Sequence, residues 1–356
     1  MDRQIRDSAS FEDAAITLSH PAEAIASGDA VQALRRHYHL VADVSPLRGE
    51  RDTNFLVSVN GQDAYVLRVA NSAEQQVVAD FRAAELMHLE QSAPELPVPR
   101  IRLTANGAHG FEWMGSNGRR IGQLVTYLPG IPMATTGDSA LPYRQLGEVA
   151  ARMALALEGF DHPGARLPLL WDINQASQAL RYVRHTVQPE QARMVRWALT
   201  GLEDVRPVLR DLRSQVIHND LNPHNVMISA DSSEVVGIID FGDSVYSTLV
   251  NDVAVACSYL IRDLQDPLAP IREFLTSYCR TLPLSEAELA VLPQLIAARH
   301  ALTVIITNWR AAMDADNSSY ILRNQNTAIH GLRCLSTLAP EQARDQMLEA
   351  GSRGAM

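Results

Sequence analysis

A chain of 356 residues, 46% hydrophobic and 20% charged, has the composition of a globular protein and the length for two lobes around a substantial core. Its net charge of −10 disfavours nucleic acid and anionic membrane as partners, while leaving a cationic substrate open. All 31 basic residues are arginine, so Schiff-base chemistry on a lysine and the Walker lysine are excluded together.

The first residues, 1 to about 20, read as a loose arm; they are polar and acidic through Asp13, unlike a signal peptide. From Pro21 to His39 the pattern is helical, with Gly28-Asp29 as a break and cap before Ala30, Val31 and Leu34. Strands are predicted over Leu40 to Leu47, Asn54 to Val59 and Ala64 to Val69, with Asn60-Gly61 as the hairpin turn between the last two. The first two are joined by a polar loop, Arg48 to Thr53. Ser72 to Gln91 predicts a helix with Val77, Val78, Phe81, Ala84 and Leu89 as its apolar stripe, ended by Pro94, Pro97 and Pro99. Three more strands follow at Arg100 to Leu103, Gly110 to Met114 and Gly122 to Tyr127, before Pro129-Gly130 breaks the chain. A small mixed sheet with one helix accommodates this order.

Beyond Leu128 long helices dominate. Leu146, Val149, Ala150, Met153 and Leu157 lie at helical spacing behind an Asp138-Ser139 cap. Further helices are expected near 172–186, 189–213, 250–263, 267–281, 285–314 and 318–337, interrupted by strands only within 216–240, and Gly351 to Met356 should fray. Cys257, Cys279 and Cys334 stand far apart among apolar neighbours, with no C-x-x-C, which predicts buried helical thiols in a reducing compartment. No run of 18 apolar residues occurs, so the expected setting is cytoplasmic, with no membrane.

The interruption carries the chemistry. His218-Asn219-Asp220-Leu221-Asn222-Pro223-His224-Asn225 reads H-x-D-x-x-x-x-N between the apolar runs Val216-Ile217 and Val226-Met227-Ile228. Asp240-Phe241-Gly242-Asp243 closes a second apolar run from Val235. Two short strands with a loop between them deliver two carboxylates and an amide, the set that phosphoryl transfer requires: one carboxylate orients the attacking hydroxyl, and an amide oxygen with a second carboxylate holds Mg2+ on the nucleotide phosphates. Asp220 fits the first role and Asn225 and Asp240 the second.

With these motifs, the chain resembles the aminoglycoside/choline phosphotransferase branch of the protein-kinase-like fold, and within it is most similar to the hydroxylysine kinases. The resemblance covers about residues 20 to 340. It rests on I-H-N-D-L-N-P-H-N at Ile217 to Asn225, I-I-D-F-G-D at Ile238 to Asp243, R-D-T-N-F at Arg51 to Phe55, Y-V-L-R-V at Tyr65 to Val69 and L-V-T-Y-L-P-G at Leu124 to Gly130. It implies a bilobal α+β fold, with a small mixed-sheet N-lobe over 21–128 that binds nucleotide and a large mostly helical C-lobe over 129–350 that holds the catalytic and substrate residues. Asp220 would be the catalytic base, Asn225 and Asp240 the Mg2+ ligands, and His218 a brace for the loop. The Arg48 to Thr53 loop would lie over the phosphates. Asn54, Arg68 and Asn222 would meet the nucleotide phosphates, and backbone groups near Thr126 and Leu128 the purine of ATP or GTP. Arg68 stands where the family has its strand lysine, and arginine is not a conservative exchange at such a site. Asp80 falls nearest the family's acidic partner for that cation, with Glu85 as its rival and Glu74 also on the same expected helix.

The implied substrate is a small-molecule amino alcohol or hydroxy amino acid, 5-hydroxylysine first, with choline or ethanolamine, homoserine and aminoglycosides as alternatives. Asp243 and Asp172 are candidates for its ammonium, Asp172 also being placed to cap a helix. Trp309 is a candidate for stacking on a cation, and Arg310 for pairing with a carboxylate. A nucleotide-binding protein without catalysis is the rival from another class, motivated by Arg68 and its unsettled partner.

Overall fold

A computed structural model describes residues 24–49, 52–115, 118–136, 142–186, 188–231, 233–263 and 265–355. The expected N-terminal arm, the Asp138-Ser139 cap and part of the Arg48 to Thr53 loop lie outside the described residues. The chain divides into two compact units. Residues through Pro129, with His162–Leu167 and Gly237–Ile239, form one; Gly130–Asp161, Pro168–Val236 and Asp240 onward form the other.

In the first unit, helix α1 (Ser27–Tyr38) buries Ala30, Leu34 and Tyr38, a four-residue spacing that lays one stripe against the sheet. Gly28-Asp29 is not a break: both residues sit in the first turn, where the Asp29 charge complements the helix N-terminus. The sheet comprises β1 (Asp43–Leu47), β2 (Thr53–Val59), β3 (Gln62–Val69), β4 (Ile101–Arg102), β5 (Phe111–Gly115) and β6 (Gly118–Thr126). It runs β1-β2-β3-β6-β4, with β5 also on β6.

Each pairing among the described strands is antiparallel, so the sheet is not mixed. A two-residue hairpin connects β2 to β3, whereas β6 reaches β3 and β4 only after intervening elements, so its antiparallel pairing does not follow from a short connection. Asn60 and Gly61, at φ 52° and 77°, form the two-residue β2–β3 turn that positive φ at both positions permits. Phe55 and Val57 on β2, Leu67 and Val69 on β3, and Phe111 and Leu124 form the core beneath α1. Strand alternation therefore turns Arg68 to the opposite face, directly across from Asn54 on β2 and Gln123 on β6.

Helix α2 (Gln76–Ser92) begins four residues later than its apolar pattern suggests. The Asn71 side chain accepts from the Ala73 amide at 2.9 Å and its carbonyl accepts from Glu74 N at 3.2 Å, closing a turn that holds Glu74 ahead of the helix.

Strands β7 (Ile131–Pro132), β9 (Val226–Ile228) and β10 (Val235–Ile238) form one small sheet, and β8 (Ser214–Ile217) pairs antiparallel with β11 (Val245–Thr248). Strands β7 and β11 have no counterpart in the sequence reading. Helices α3 (Tyr143–Ala156), α4 (Pro189–Leu209), α5 (Leu249–Ser258), α6 (Ala269–Thr281) and α7 (Glu286–Met313) carry the core, and residues Ile173–His185 form successive 3-10 turns. Helix α7 opens with a Ser285/Glu288 capping box. It is long and apolar enough to cross a membrane, yet 89% of its most apolar window is buried inside the fold, as in a core helix.

The helix expected over 318–337 is split into α8 (Ser318–Ile321) and α9 (Gln325–Thr337). The expected fraying of the last residues is also corrected. Helix α10 (Pro340–Ala355) runs through Gly351 to Ala355, and Gly354 packs so closely that a Cβ there would meet Thr276 O at 2.4 Å; Met356 lies outside the described residues. Cys257 and Cys279 are buried free thiols, whereas Cys334 is half-buried.

Candidate active site

On the face of the first sheet opposite α1, Arg68 is held from two sides. Its Nε donates to Asp52 Oδ2 at 2.6 Å, and its Nη1 and Nη2 donate to Glu74 Oε1 and Oε2 at 3.3 and 2.6 Å. Burial works against the guanidinium's charge, but Asp52 and Glu74 outweigh it and push the pKa up. Glu74 also accepts from Arg82 Nη1 and Nη2 at 3.3 and 3.1 Å, so one carboxylate ties two arginines together. Asp80 is not the partner acid: it is exposed and accepts from Gln76 Nε2 at 2.8 Å. The delayed start of α2 explains this, because it leaves Glu74 in the turn beside β3. Asn54 faces Arg68 across the strand pair, and Gly49 lies close behind it. A Cβ at 49 would meet Asp52 O at 2.4 Å, so the turn that delivers Asp52 needs glycine there.

The Thr126 amide, expected to face a purine, donates to Arg100 O at 2.9 Å, and Thr126 Oγ1 accepts from Arg100 N at 2.9 Å. The N–H and hydroxyl of Thr126 are therefore used by the sheet. Leu128 follows the end of β6 in a stretch with no regular hydrogen-bonding pattern.

In the second unit, β8 buries Val216 and Ile217 and leads into the H-x-D loop. His218 is fully buried; its Nδ1 accepts from the Asp220 amide at 3.2 Å and its ring meets Phe241 edge-on at 4.7 Å. Asn219 adopts a left-handed φ of 62°. Its amide donates to Asp252 Oδ1 at 2.7 Å and its Nδ2 to Asp243 O at 3.2 Å, so buried groups behind the loop maintain the unusual backbone. Asp240 has a matching φ of 64°, and its Oδ1 accepts from Gly242 N at 3.1 Å.

The Asp220 carboxylate is gripped along both edges. Oδ2 accepts from Asn222 Nδ2 at 2.9 Å and Asn225 Nδ2 at 2.7 Å, while Oδ1 accepts from Arg299 Nη2 at 3.2 Å. Burial first, then the charge of Asp243 and more weakly that of Asp240, push its pKa up to about 7 against the pull of Arg299 and Asn222. Asn222, expected near the nucleotide, is used within the loop instead: its Oδ1 accepts from His224 N at 2.8 Å. Asn225 turns its nitrogen to Asp220, leaving Oδ1 for another partner, and Asp240 is exposed. An amide oxygen and a carboxylate are the hard donors that suit Mg2+, which takes few protein ligands and completes its shell with water and phosphate. The described residues contain no cluster of three His, Cys, Asp or Glu with metal-site geometry.

The substrate candidates fare unequally. Asp243 is buried and close enough for its charge to act on Asp220. Asp172 is a buried helix cap rather than an open acid: Oδ1 accepts from Asn174 N at 3.0 Å and Ser247 Oγ at 2.7 Å. Trp309 is 7% exposed with Tyr182 stacked on it at 4.4 Å, and Arg310 is 8% exposed, so neither offers an open surface.

Burial pushes the Asp172 pKa up to about 6, opposed by Ser247, Asn174 and Arg299. A raised carboxyl pKa contributes stability that is fully present below pH 4 and lost as pH rises through 6. Asp172→Asn keeps the accepting oxygen and removes the charge. It should therefore stabilise the protein at pH 7.5 by up to about 3 kcal/mol and change little at pH 4, as read by urea unfolding at both values.

Two residues that sequence reasoning did not select, Arg299 and Asp252, complete this surround. Their only sequence signal is a charged residue inside an otherwise apolar helix (Ala298-Arg299-His300; Asn251-Asp252-Val253).

The family model described as a phosphotransferase enzyme family matches residues 43–289. Hydroxylysine kinase of Xenopus laevis is 24% identical over 354 residues, covering 91% of this chain and 93% of the relative. Homoserine kinase of Bradyrhizobium sp. strain ORS 278 is 30% identical over 268 residues, covering 73% and 76%. Among solved structures, amicoumacin kinase hAmiN in complex with AMP-PNP, Ca2+ and Ami superposes with a TM-score of 0.65 at 17% identity, over 89% of this chain and 97% of that one. At that identity the likeness establishes the fold.

Proposed function

Because the chain belongs to the phosphotransferase enzyme family, with the α+β protein-kinase-like fold, and is a small-molecule kinase with an alcohol acceptor, we propose that its substrate is a hydroxy amino acid, 5-hydroxylysine first, with Mg2+ and ATP or GTP. The observation that carries the reading is the Asp220 carboxylate, fixed along both edges on a loop whose backbone is held from behind. A carboxylate so fixed suits a general base for a hydroxyl.

In the proposed reaction Asp220 accepts the hydroxyl proton as the substrate oxygen bonds to the γ-phosphorus; the bond from that phosphorus to the bridging oxygen breaks, and the nucleoside diphosphate leaves with its electrons. Asn225 Oδ1 and Asp240 would hold Mg2+, which when bound neutralises charge on the phosphates. Arg68, fixed by Asp52 and Glu74, would grip phosphate oxygens of the donor. Asp243 beside Asp220 is the candidate for the substrate ammonium.

A panel of 5-hydroxylysine, homoserine, ethanolamine, choline and an aminoglycoside, each with ATP and with GTP and followed by nucleoside diphosphate release, tests the substrate. We expect the highest kcat/KM for 5-hydroxylysine. Preference for homoserine by tenfold or more would transfer the assignment to the other group of curated relatives. Nucleotide binding without turnover on any member would favour a non-catalytic protein.

A further inference from the structure

Within two turns of Arg299 on helix α7, Leu295, Ile296, Ala298, Leu302 and Ile306 are fully buried, with Gln294, His300 and Thr303 the polar exceptions. A guanidinium in that setting is costly to bury, and an apolar side chain of similar size would serve packing at least as well. Its wiring gives the reason for its presence. The side chain is 2% exposed. Nη2 donates to Asp220 Oδ1 at 3.2 Å, Nη1 donates to the Trp171 carbonyl at 3.0 Å, and the guanidinium carbon lies 5.1 Å over the Trp171 ring. Trp171 thus fixes the fork from one side while its other arm reaches the motif carboxylate. Three other buried acids, Asp172, Asp243 and Asp252, feel its charge, and the Tyr259 hydroxyl also interacts with it, but its carboxylate hydrogen bond goes to Asp220.

We propose that Arg299 is a positioning residue for phosphoryl transfer, holding the Oδ1 edge of Asp220 from α7 while Asn222 and Asn225 hold the Oδ2 edge. This rests on the reading of Asp220 as the base. With one edge released, the carboxylate turns about its χ angles on the two remaining amide bonds and loses its alignment to the acceptor hydroxyl. Misplacements of about 1 Å at such a group cost on the order of a hundredfold in rate.

The test measures kcat, both KM values and nucleotide affinity for Arg299→Met and Arg299→Lys in the full chain, beside Asp220→Ala, with thermal unfolding to verify the fold. For Arg299→Met, kcat should fall about a hundredfold while KM values and nucleotide affinity stay within about twofold. Lysine keeps the charge but cannot serve Asp220 and the Trp171 carbonyl with a planar fork, so it should recover part of that loss and remain about tenfold below the parent. A folded Arg299→Met enzyme with unchanged kcat, or one whose KM rises at constant kcat, overturns the proposal. If the methionine variant does not fold, the lysine variant decides: full kcat overturns, reduced kcat at unchanged KM supports. Turnover retained in Asp220→Ala would instead overturn the base assignment, an outcome distinct from a silent Arg299.

Discussion

Asp220→Ala is expected to lower turnover about a thousandfold while leaving nucleotide affinity nearly unchanged. The expectation separates two roles that a crowded acidic region confuses. Asp220 makes three side-chain hydrogen bonds, all to Asn222, Asn225 and Arg299, so its removal disturbs only the loop and α7. Arg68 and its partners belong to the first unit and keep their own bonds. Steady-state kinetics with equilibrium nucleotide binding on the same preparation measures both. Turnover within tenfold of the parent would remove Asp220 from the chemistry, and a collapse of nucleotide affinity would recast it as a binding residue.

Glu74→Ala should destabilise the protein by about 3 kcal/mol, because it strips a shared carboxylate from two largely buried guanidinium groups. The side chains of Glu74, Arg68 and Arg82 are 8%, 16% and 9% exposed, so water compensates little of the loss. Asp80→Ala, the exposed residue six positions on, should shift stability by no more than about 0.5 kcal/mol. Urea unfolding of the pair checks which acid holds the strand cation. Equal effects, or a larger one at Asp80, would contradict the geometry described. The Glu74 variant should also bind nucleotide more weakly, since Arg68 would then be steered by Asp52 alone.

The contrast between those two acids shows what could be read from the chain. Strands with a period of two, the Asn60-Gly61 turn and the motif loops were legible because local spacing and local turn chemistry determine them. The identity of the Arg68 partner was not, because it depends on where α2 begins. That start is set by a side-chain turn at Asn71, which suppresses four residues of apparent helix. Sheet direction was not legible either, since β6 pairs with β3, β4 and β5 from across the sequence. Asn222 and the Thr126 amide show a related effect: each looked available in the sequence, and each is used by a neighbour's hydrogen bond. The C-terminal helix was missed because its buried stripe, Ala343, Met347 and Ala350, is sparse and is followed by two glycines.

The left-handed Asn219 has an implication for anyone who would transplant this motif. Its backbone is pinned by Asp252 from α5, 33 residues downstream, and the adjacent carboxylate by Arg299 from α7, 79 residues downstream. A nine-residue cassette spliced into a foreign scaffold would bring the letters without the clasp and relax toward ordinary backbone angles. The smallest portable version of this motif is three separate segments, and a search for it by local sequence alone will find imitations.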